Sequence, residues 1–126
     1  MHDGHDQRDI APTFNQCQLL ANCMNKPALA ALILEKFEIQ LRSDLVKLLA
    51  SAGAEDLAEL GRVAHGLKGA AAACTASRVE ALAERVETAA RADEGQIALA
   101  ALNELKAEID RCISSIPSTR AAFAAC

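Results

Sequence analysis

The chain of 126 residues is poor in aromatic and turn-forming residues. It has no tryptophan or tyrosine, three phenylalanines, six glycines and three prolines. Its hydrophobic content of 52% therefore comes mainly from alanine and aliphatic residues, which suit closely packed helices. Few turns, and no alternating segment rich in β-branched residues, predict a small number of long helices in an all-α fold.

Positive charge is also scarce, and it is not clustered. The formal net charge is −4 and the isoelectric point is about 5.3. Nucleic-acid binding proteins need a basic surface or aromatic side chains that stack on bases, so we expect no nucleic-acid partner. The polar amino terminus contains no signal-peptide core, and no apolar run reaches the length of a membrane span. We therefore expect a cytoplasmic protein that does not insert into membranes.

The cysteines form no metal-binding or redox pattern. They number five, and none belongs to a CxxC pair or a zinc-like spacing. Cys74 and Cys112 fall on apolar stripes, which is typical of buried thiols in a reducing compartment. The tail at residues 1–12 is polar and aperiodic, and nothing there fixes a coordination geometry for its histidines and aspartates. We expect this tail to be disordered and to bind no metal specifically.

Residues 13–117 show helical periodicity, and we predict that they form one domain. Capping-box patterns at residues 13–16 and 77–80, and a cap at Asp93, mark three helix starts. Pro27 suits the first turn of another helix, and Pro117 is expected to end the last one. The predicted helices are a short one from Thr13 to about Met24, then long ones from Pro27 to about Ala52, from Leu57 to Thr75, from Ser77 to about Ala90, and from Asp93 to Pro117.

Four long helices joined by short turns predict an up-down-up-down antiparallel four-helix bundle, with the short first helix capping one end. The inward stripes are expected to include Leu49 on the second helix and Ile97 on the last. Residues 118–126 are expected to form a loose carboxyl-terminal tail, from which Phe123 could dock.

One histidine, His65, lies within a long helix but away from its apolar stripe. At about 100° per residue, it is roughly 130° from the centre of the stripe, and we expect it to be exposed. The stripe itself consists of Leu57, Leu60, Ala64, Leu67, Ala71 and Cys74.

Small residues surround His65 on the face where it is expected to lie. Two glycines inside a helix cost about 1 kcal/mol each relative to alanine, so a reason for them is worth seeking. They clear space for another molecule to approach the imidazole; the alternative is a helix that packs closely against its neighbour. The predicted docking surface consists of Ala58, Gly61, Arg62, Gly69 and Ala72.

The sequence around His65 resembles a known family. Ala64 is followed by His-Gly-Leu-Lys-Gly at residues 65–69, which is similar to the motif of histidine-containing phosphotransfer (HPt) domains. The resemblance continues to Val86-Glu87 and covers most of the chain by helix pattern, from about Phe14 to about Ile116. It departs at Ala70, where many members have serine or glycine, and at Thr75, where a glycine commonly follows the helix.

The resemblance implies a role for several side chains. His65 is the phosphoacceptor, and a carboxylate or amide fixes its second ring nitrogen. Glu87 is the first candidate for that contact and Glu84, one turn earlier, is the second. Lys68 steadies phosphoryl oxygens or meets an acidic partner, and Arg62 could do similar work. The alternative for each is a solvated side chain on a helix surface.

The resemblance also implies a function, which is that of a carrier in a multistep phosphorelay. His65 accepts a phosphoryl group from a receiver-domain aspartate and passes it to another receiver. The expected partners are response-regulator receiver domains and a hybrid histidine kinase, and the chain is expected to be a monomer. We expect no cofactor and no nucleotide site in the chain, and Mg²⁺ on the partner receiver.

Two other functions remain open at this point. A bundle that docks a receiver or kinase without phosphotransfer has the same sequence pattern, and only labelling of His65 separates the two. A metal-binding bundle is the weaker rival, since a single histidine lies on the predicted long helices.

Overall fold

The computed structural model describes residues 13–125, and this part of the chain forms five helices and no strand. The expected tail at residues 1–12 and the terminal Cys126 lie outside the described residues. The helices are α1 (Gln16–Asn22), α2 (Pro27–Gly53), α3 (Leu57–Ala73), α4 (Ser77–Arg91) and α5 (Gly95–Ala124).

The long helices pack as a ring of antiparallel neighbours. Helix α2 contacts α3 and α5, α3 contacts α4, and α4 contacts α5, while the short α1 touches α2. This is the predicted four-helix bundle with a short additional helix. One face of each long helix fills the core, where the largest fully buried side chains include Leu34, Leu41, Leu48, Leu60, Leu67, Val79, Val86, Leu105, Ile109 and Ile116.

The same three-residue turn joins the long helices at all three places. The middle residue of each turn, Glu55, Thr75 or Asp93, has a left-handed backbone with φ near 60°. In the first turn, Glu55 N–H donates to Ala52 C=O and Asp56 N–H donates to Ser51 C=O, and the other two turns repeat the pattern. This is the Schellman arrangement, which commonly has glycine at the left-handed position. The turns are short enough to force consecutive helices to run antiparallel.

Thr75 has a second function in its turn. Its hydroxyl accepts a hydrogen bond from Asn15 N–H at 3.0 Å and lies 3.3 Å from Asn15 C=O, to which it donates. Asn15 is the N-cap of α1, and its side chain accepts from Gln18 N–H. The residue that replaces the family's usual glycine therefore attaches α1 to the end of α3.

The predicted caps were partly wrong. Asn15 caps α1, and Thr13 does not. Ser77 is the first residue of α4 and does not cap it, and α5 begins after Glu94 with no side-chain cap. A capping-box pattern spans only four residues and recurs by chance. In the structure, Thr75 and Asp93 take the left-handed positions of the three-residue turns.

Helix α5 continues through Pro117, so the prediction that this proline ends the helix, and that residues 118–126 form a loose tail, was wrong for the described residues. Phe123 and Thr119 are buried and hold the last turns against the bundle. The hydroxyls of Ser118 and Thr119 both donate to the Ser115 carbonyl next to the proline, at 3.0 and 2.9 Å. Burial and these bonds offset the backbone bond that proline removes.

Two apolar residues lie outside, against expectation. Leu49 is 42% exposed and Ile97 is 56% exposed. Each lies at the edge of its helix's apolar stripe. Neighbouring positions on a helix point in directions about 100° apart, so a residue at the edge of the stripe can face solvent and not the core.

No single helix among residues 13–125 is long and apolar enough to cross a membrane. Helices α1 and α2 pass that test only as a pair, by length and composition, and they are bent by 105° at their junction.

Candidate phosphotransfer site

The exposed face of α3 presents His65 in the middle of the helix. Asp56 starts this helix by accepting a hydrogen bond from Glu59 N–H at 3.1 Å. Leu60, Ala64, Leu67 and Ala71 are fully buried, and this orientation turns the His65 side chain outward with 60% of its surface exposed. The predicted exposure of His65 is confirmed.

Glu87 on α4 contacts the imidazole directly. Its Oε2 atom lies 2.9 Å from His65 Nδ1, and only 6% of the Glu87 side chain is exposed. Glu84 is exposed one turn earlier and forms no contact with His65 that the structure shows. The first candidate for the imidazole contact is therefore at bonding distance, and the second is not.

Two cations share the same carboxylate. Lys68 Nζ lies 2.9 Å from Glu87 Oε1, and Arg91 Nη2 lies 2.9 Å from Glu87 Oε2. The hydrogen bond from Lys68 does most to lower the pKa of Glu87. The hydrogen bond from His65 and the charge of Arg91 also lower this pKa. Burial acts the other way, because it disfavours a charge. The carboxylate is therefore ionised at neutral pH.

An ionised Glu87 fixes the tautomer of His65. A carboxylate without a proton can only accept, so the ring must donate from Nδ1–H. Nitrogen Nε2 then carries the lone pair, and it has no hydrogen-bond partner among the described residues. In the neutral ring, the nitrogen with the lone pair is therefore Nε2, which lies on the side of the ring away from Glu87.

Sequence reasoning missed Arg91. It follows Glu87 by four residues on α4, a spacing that places two side chains on one helix face. Once Glu87 had been chosen, that spacing was the signal that could have found it. A shallow pocket beside the Glu87 carboxylate is lined by Lys68, Glu84, Glu87, Thr88, Arg91 and Ala92.

Most of the residues that were predicted to form the docking surface are exposed. Ala58, Arg62, Gly69 and Ala72 are exposed on α3. A Cβ atom added to Gly69 would meet nothing within 4 Å, so the space beside His65 is open. Arg62 forms an ion pair with Glu59 one turn before it and shows no contact with His65.

Gly61 does not belong to that surface, and placing it there was wrong. It is buried, and an added Cβ would lie 3.4 Å from Ala90 Cβ and 3.9 Å from the Glu87 carbonyl oxygen. Gly61 lies four residues before His65, on the side where α3 turns toward α4. Its lack of a side chain serves the contact between these helices.

A metal site is not formed by the described residues. Within residues 13–125, no group of three histidine, cysteine, aspartate or glutamate side chains is placed to hold a metal ion.

Comparison with known proteins identifies the family. The family model of the Hpt domain matches residues 32–115, more than half of the chain. The chain belongs to the Hpt domain family. Members of this family carry phosphoryl groups on a histidine in phosphorelays, and the chain is accordingly a phosphocarrier. Hpt domains in general interact with receiver domains and hybrid histidine kinases.

Solved structures show the same fold. Histidine-containing phosphotransfer protein B (HptB) from Pseudomonas aeruginosa PAO1 superposes with a TM-score of 0.81 at 22% identity, over 90% of this chain and 98% of that one. The HPT domain of the Hpt sensor hybrid histidine kinase from Shewanella has a TM-score of 0.77 at 22% identity, over 87% of this chain and 95% of that one. No curated protein matches the chain.

Proposed function

We propose that His65 is the phosphoacceptor of this Hpt domain, and that it receives its phosphoryl group from the aspartyl phosphate of one receiver and passes it to another. The observation that carries the proposal is the 2.9 Å contact between His65 Nδ1 and the buried Glu87 carboxylate. This contact leaves Nε2 as the nucleophile on an exposed face.

The transfer step follows from this geometry. The Nε2 lone pair attacks phosphorus, and the bond from phosphorus to the aspartate oxygen breaks, so the carboxylate leaves with the electron pair. Because Nδ1 keeps its proton, the phosphorylated ring gains positive charge, which the Glu87 carboxylate stabilises. The reverse attack by a second aspartate restores the neutral ring. No proton has to enter or leave the site.

Lys68 and Arg91 supply positive charge beside the acceptor. Each binds Glu87 in the free protein, and the same carboxylate contacts the imidazole, so both cations are held close to His65. Their charges favour the arrival of an anionic phosphoryl group and of an acidic receiver surface. The Mg²⁺ that phosphoryl transfer needs would come with the receiver, and this chain would contribute positioning and charge.

The test is labelling by a phosphorylated receiver. The chain should acquire an acid-labile, alkali-stable label, as expected for a phosphoramidate. The sequence contains three histidines, so His65→Gln should abolish the label while the control His2→Gln/His5→Gln retains it.

Two results would contradict the proposal. Label that persists in His65→Gln would place the acceptor elsewhere. A wild-type chain that binds receivers but never becomes labelled would be the interaction module without phosphotransfer.

A further inference from the structure

The outer face of α2 carries a stripe of exposed apolar residues. Leu32, Ile39 and Val46 are 45%, 65% and 68% exposed, and they recur every seven residues. They differ by only about 20° in direction per step, so they form one line along the helix. Exposed Ala28 and Ala50 extend this stripe at its two ends, over a length of about 33 Å.

The inner face of α2 has the same repeat. Leu34, Leu41 and Leu48 also recur every seven residues, and all three are completely buried against the bundle. They follow the outer residues by two positions, which is about 200° around the helix. Helix α2 is thus apolar on opposite faces, and a helix of that kind is normally covered on both.

The spacing of the stripe fits another helix. Two α-helices that pack side by side use apolar residues that recur along one line, and the outer face of α2 supplies one such residue in every seven. The stripe is also symmetric about Ile39, because Leu32 and Val46 each lie seven residues from it. In an antiparallel pair of α2 helices, Ile39 meets Ile39 of the second copy, and Leu32 meets Val46.

The charges beside the stripe agree with this alignment. Glu35 and Arg42 lie on the same flank of the stripe. In an antiparallel pair, this flank of one helix meets the same flank of the second helix. Glu35 of one chain then faces Arg42 of the other, and symmetry forms this contact twice. Both side chains are exposed and have partners within the chain, Arg120 at 3.2 Å for Glu35 and Glu38 at 2.9 Å for Arg42.

We propose that the outer stripe of α2 binds a second copy of this chain, in an antiparallel homodimer whose two-fold axis passes near Ile39. This differs from the monomer expected from the sequence. His65 lies on α3 and outside the stripe, so both acceptors of the dimer stay available.

Sedimentation over a wide range of protein concentration tests the proposal. The wild-type chain should change from monomer to dimer, and Ile39→Glu should lose the dimer because it places two carboxylates together at the axis. Ile97→Glu is the matched control, since Ile97 is a similarly exposed isoleucine on α5. It should keep the dimer, and circular dichroism should show that both variants fold.

Disulfide crosslinking tests the orientation. In a Cys17→Ser/Cys126→Ser background, Ile39→Cys should crosslink to itself on mild oxidation. Val46→Cys alone should not, but a mixture of Val46→Cys and Leu32→Cys chains should form the mixed dimer. Strong self-crosslinking at all three positions would mean a parallel pair and would overturn the antiparallel arrangement.

The remaining outcomes also decide the matter. A wild-type chain that stays monomeric at every concentration overturns the proposal, as does an Ile39→Glu variant that dimerises like wild type. Labelling of Ile39→Glu by a small phosphodonor should match wild type, because the stripe is separate from the acceptor. Failure of the dimer therefore leaves the proposed function of His65 untouched.

Discussion

His65 and Glu87 are 22 positions apart in the chain and 2.9 Å apart in space. One lies on the exposed face of α3 and the other is almost wholly buried on α4. The contact links the exposed imidazole of His65 to a carboxylate that the fold keeps from solvent.

Replacement of Glu87 should slow phosphotransfer without unfolding the bundle. Glu87→Ala frees the imidazole to rotate and to change tautomer, and we expect a loss of about tenfold or more, as for other buried carboxylates that orient a histidine. Glu87→Gln keeps an acceptor but not the charge, and its loss should be smaller. Rapid-quench labelling from a phosphorylated receiver measures both rates. If rate and phosphohistidine lifetime equal those of wild type in Glu87→Ala, the contact has no role in transfer.

Arg91 should contribute to transfer through its charge. Arg91→Gln removes one of the two cations at Glu87, and a loss of up to about fivefold is expected, because an ion pair of a mostly exposed arginine is worth at most about 1 kcal/mol. Added salt should reduce the difference between variant and wild type. Arg85→Gln is the matched control, since Arg85 is an exposed arginine on the same helix that pairs with Glu104. Equal effects of the two substitutions would show a general effect of net charge.

A large side chain at Gly69 should block receivers but leave the fold intact. An added Cβ there meets nothing within 4 Å, so Gly69→Leu has space and gains helix propensity. We expect thermal stability near that of wild type and loss of most transfer to and from receivers. A small phosphodonor should still label His65. Wild-type exchange with receivers would show that the open surface is not needed for docking.

Two other glycines serve as controls for Gly69. Gly53 is equally open but lies at the end of α2, and Gly53→Leu should keep transfer. Gly61→Leu should instead destabilise the bundle by about 1–3 kcal/mol, because its side chain enters the contact between α3 and α4. Urea unfolding of the three leucine variants separates surface from packing.

The Glu87 cluster should make stability depend on acid pH. Its folded-state pKa lies below the ordinary value of 4.5, so the ionised form is favoured by folding. The resulting stabilisation is fully present above about pH 4.5 and is lost as the pH falls through the lower folded-state pKa. Urea titrations at neutral pH and below pH 4.5 should show a steeper loss in wild type than in Glu87→Gln. Parallel losses would mean that the ion pairs do not stabilise the carboxylate.

Glycine in the helix turns should stabilise the chain more at two of the turns than at the third. Glu55 and Asp93 have left-handed backbones, which cost roughly 1–2 kcal/mol for residues with a side chain. Glu55→Gly and Asp93→Gly should therefore raise the free energy of unfolding by up to about 1 kcal/mol each. Thr75→Gly relieves the same strain but loses both contacts with Asn15, so it should gain less or lose stability. Equal gains at all three positions would show that the Thr75 hydroxyl adds nothing.

The fold and the exposure of His65 could be predicted because helical periodicity is a local signal. The stripe of α3 fixed which way His65 faces, since Leu60, Leu67 and Ala71 had to be buried together. The stop at Pro117 was wrong because proline acts locally, whereas Phe123, six residues later, holds α5 against the bundle. That contact depends on tertiary structure and leaves no periodic mark around the proline.

The surroundings of His65 were harder to predict. Glu87 came from the family resemblance, since its own helix pattern places it at the edge of an apolar stripe. Gly61 and Gly69 looked alike in the sequence, four residues on either side of His65. Only the position of α4 separates them, because Ala90 lies against Gly61 and nothing lies against Gly69.

The close approach at Gly61 has a consequence for the bond at His65. Gly61 is one turn before His65, and on α4 its neighbours Ala90 and Arg91 are one turn beyond Glu87. The two helices thus touch through a residue with no side chain, directly beside the place where the carboxylate spans the gap to the imidazole. The Glu87 side chain has a fixed length, so the bond to His65 depends on how closely the two helices approach. A larger residue at Gly61 would push α3 and α4 apart and would lengthen the contact between His65 and its counter-charge.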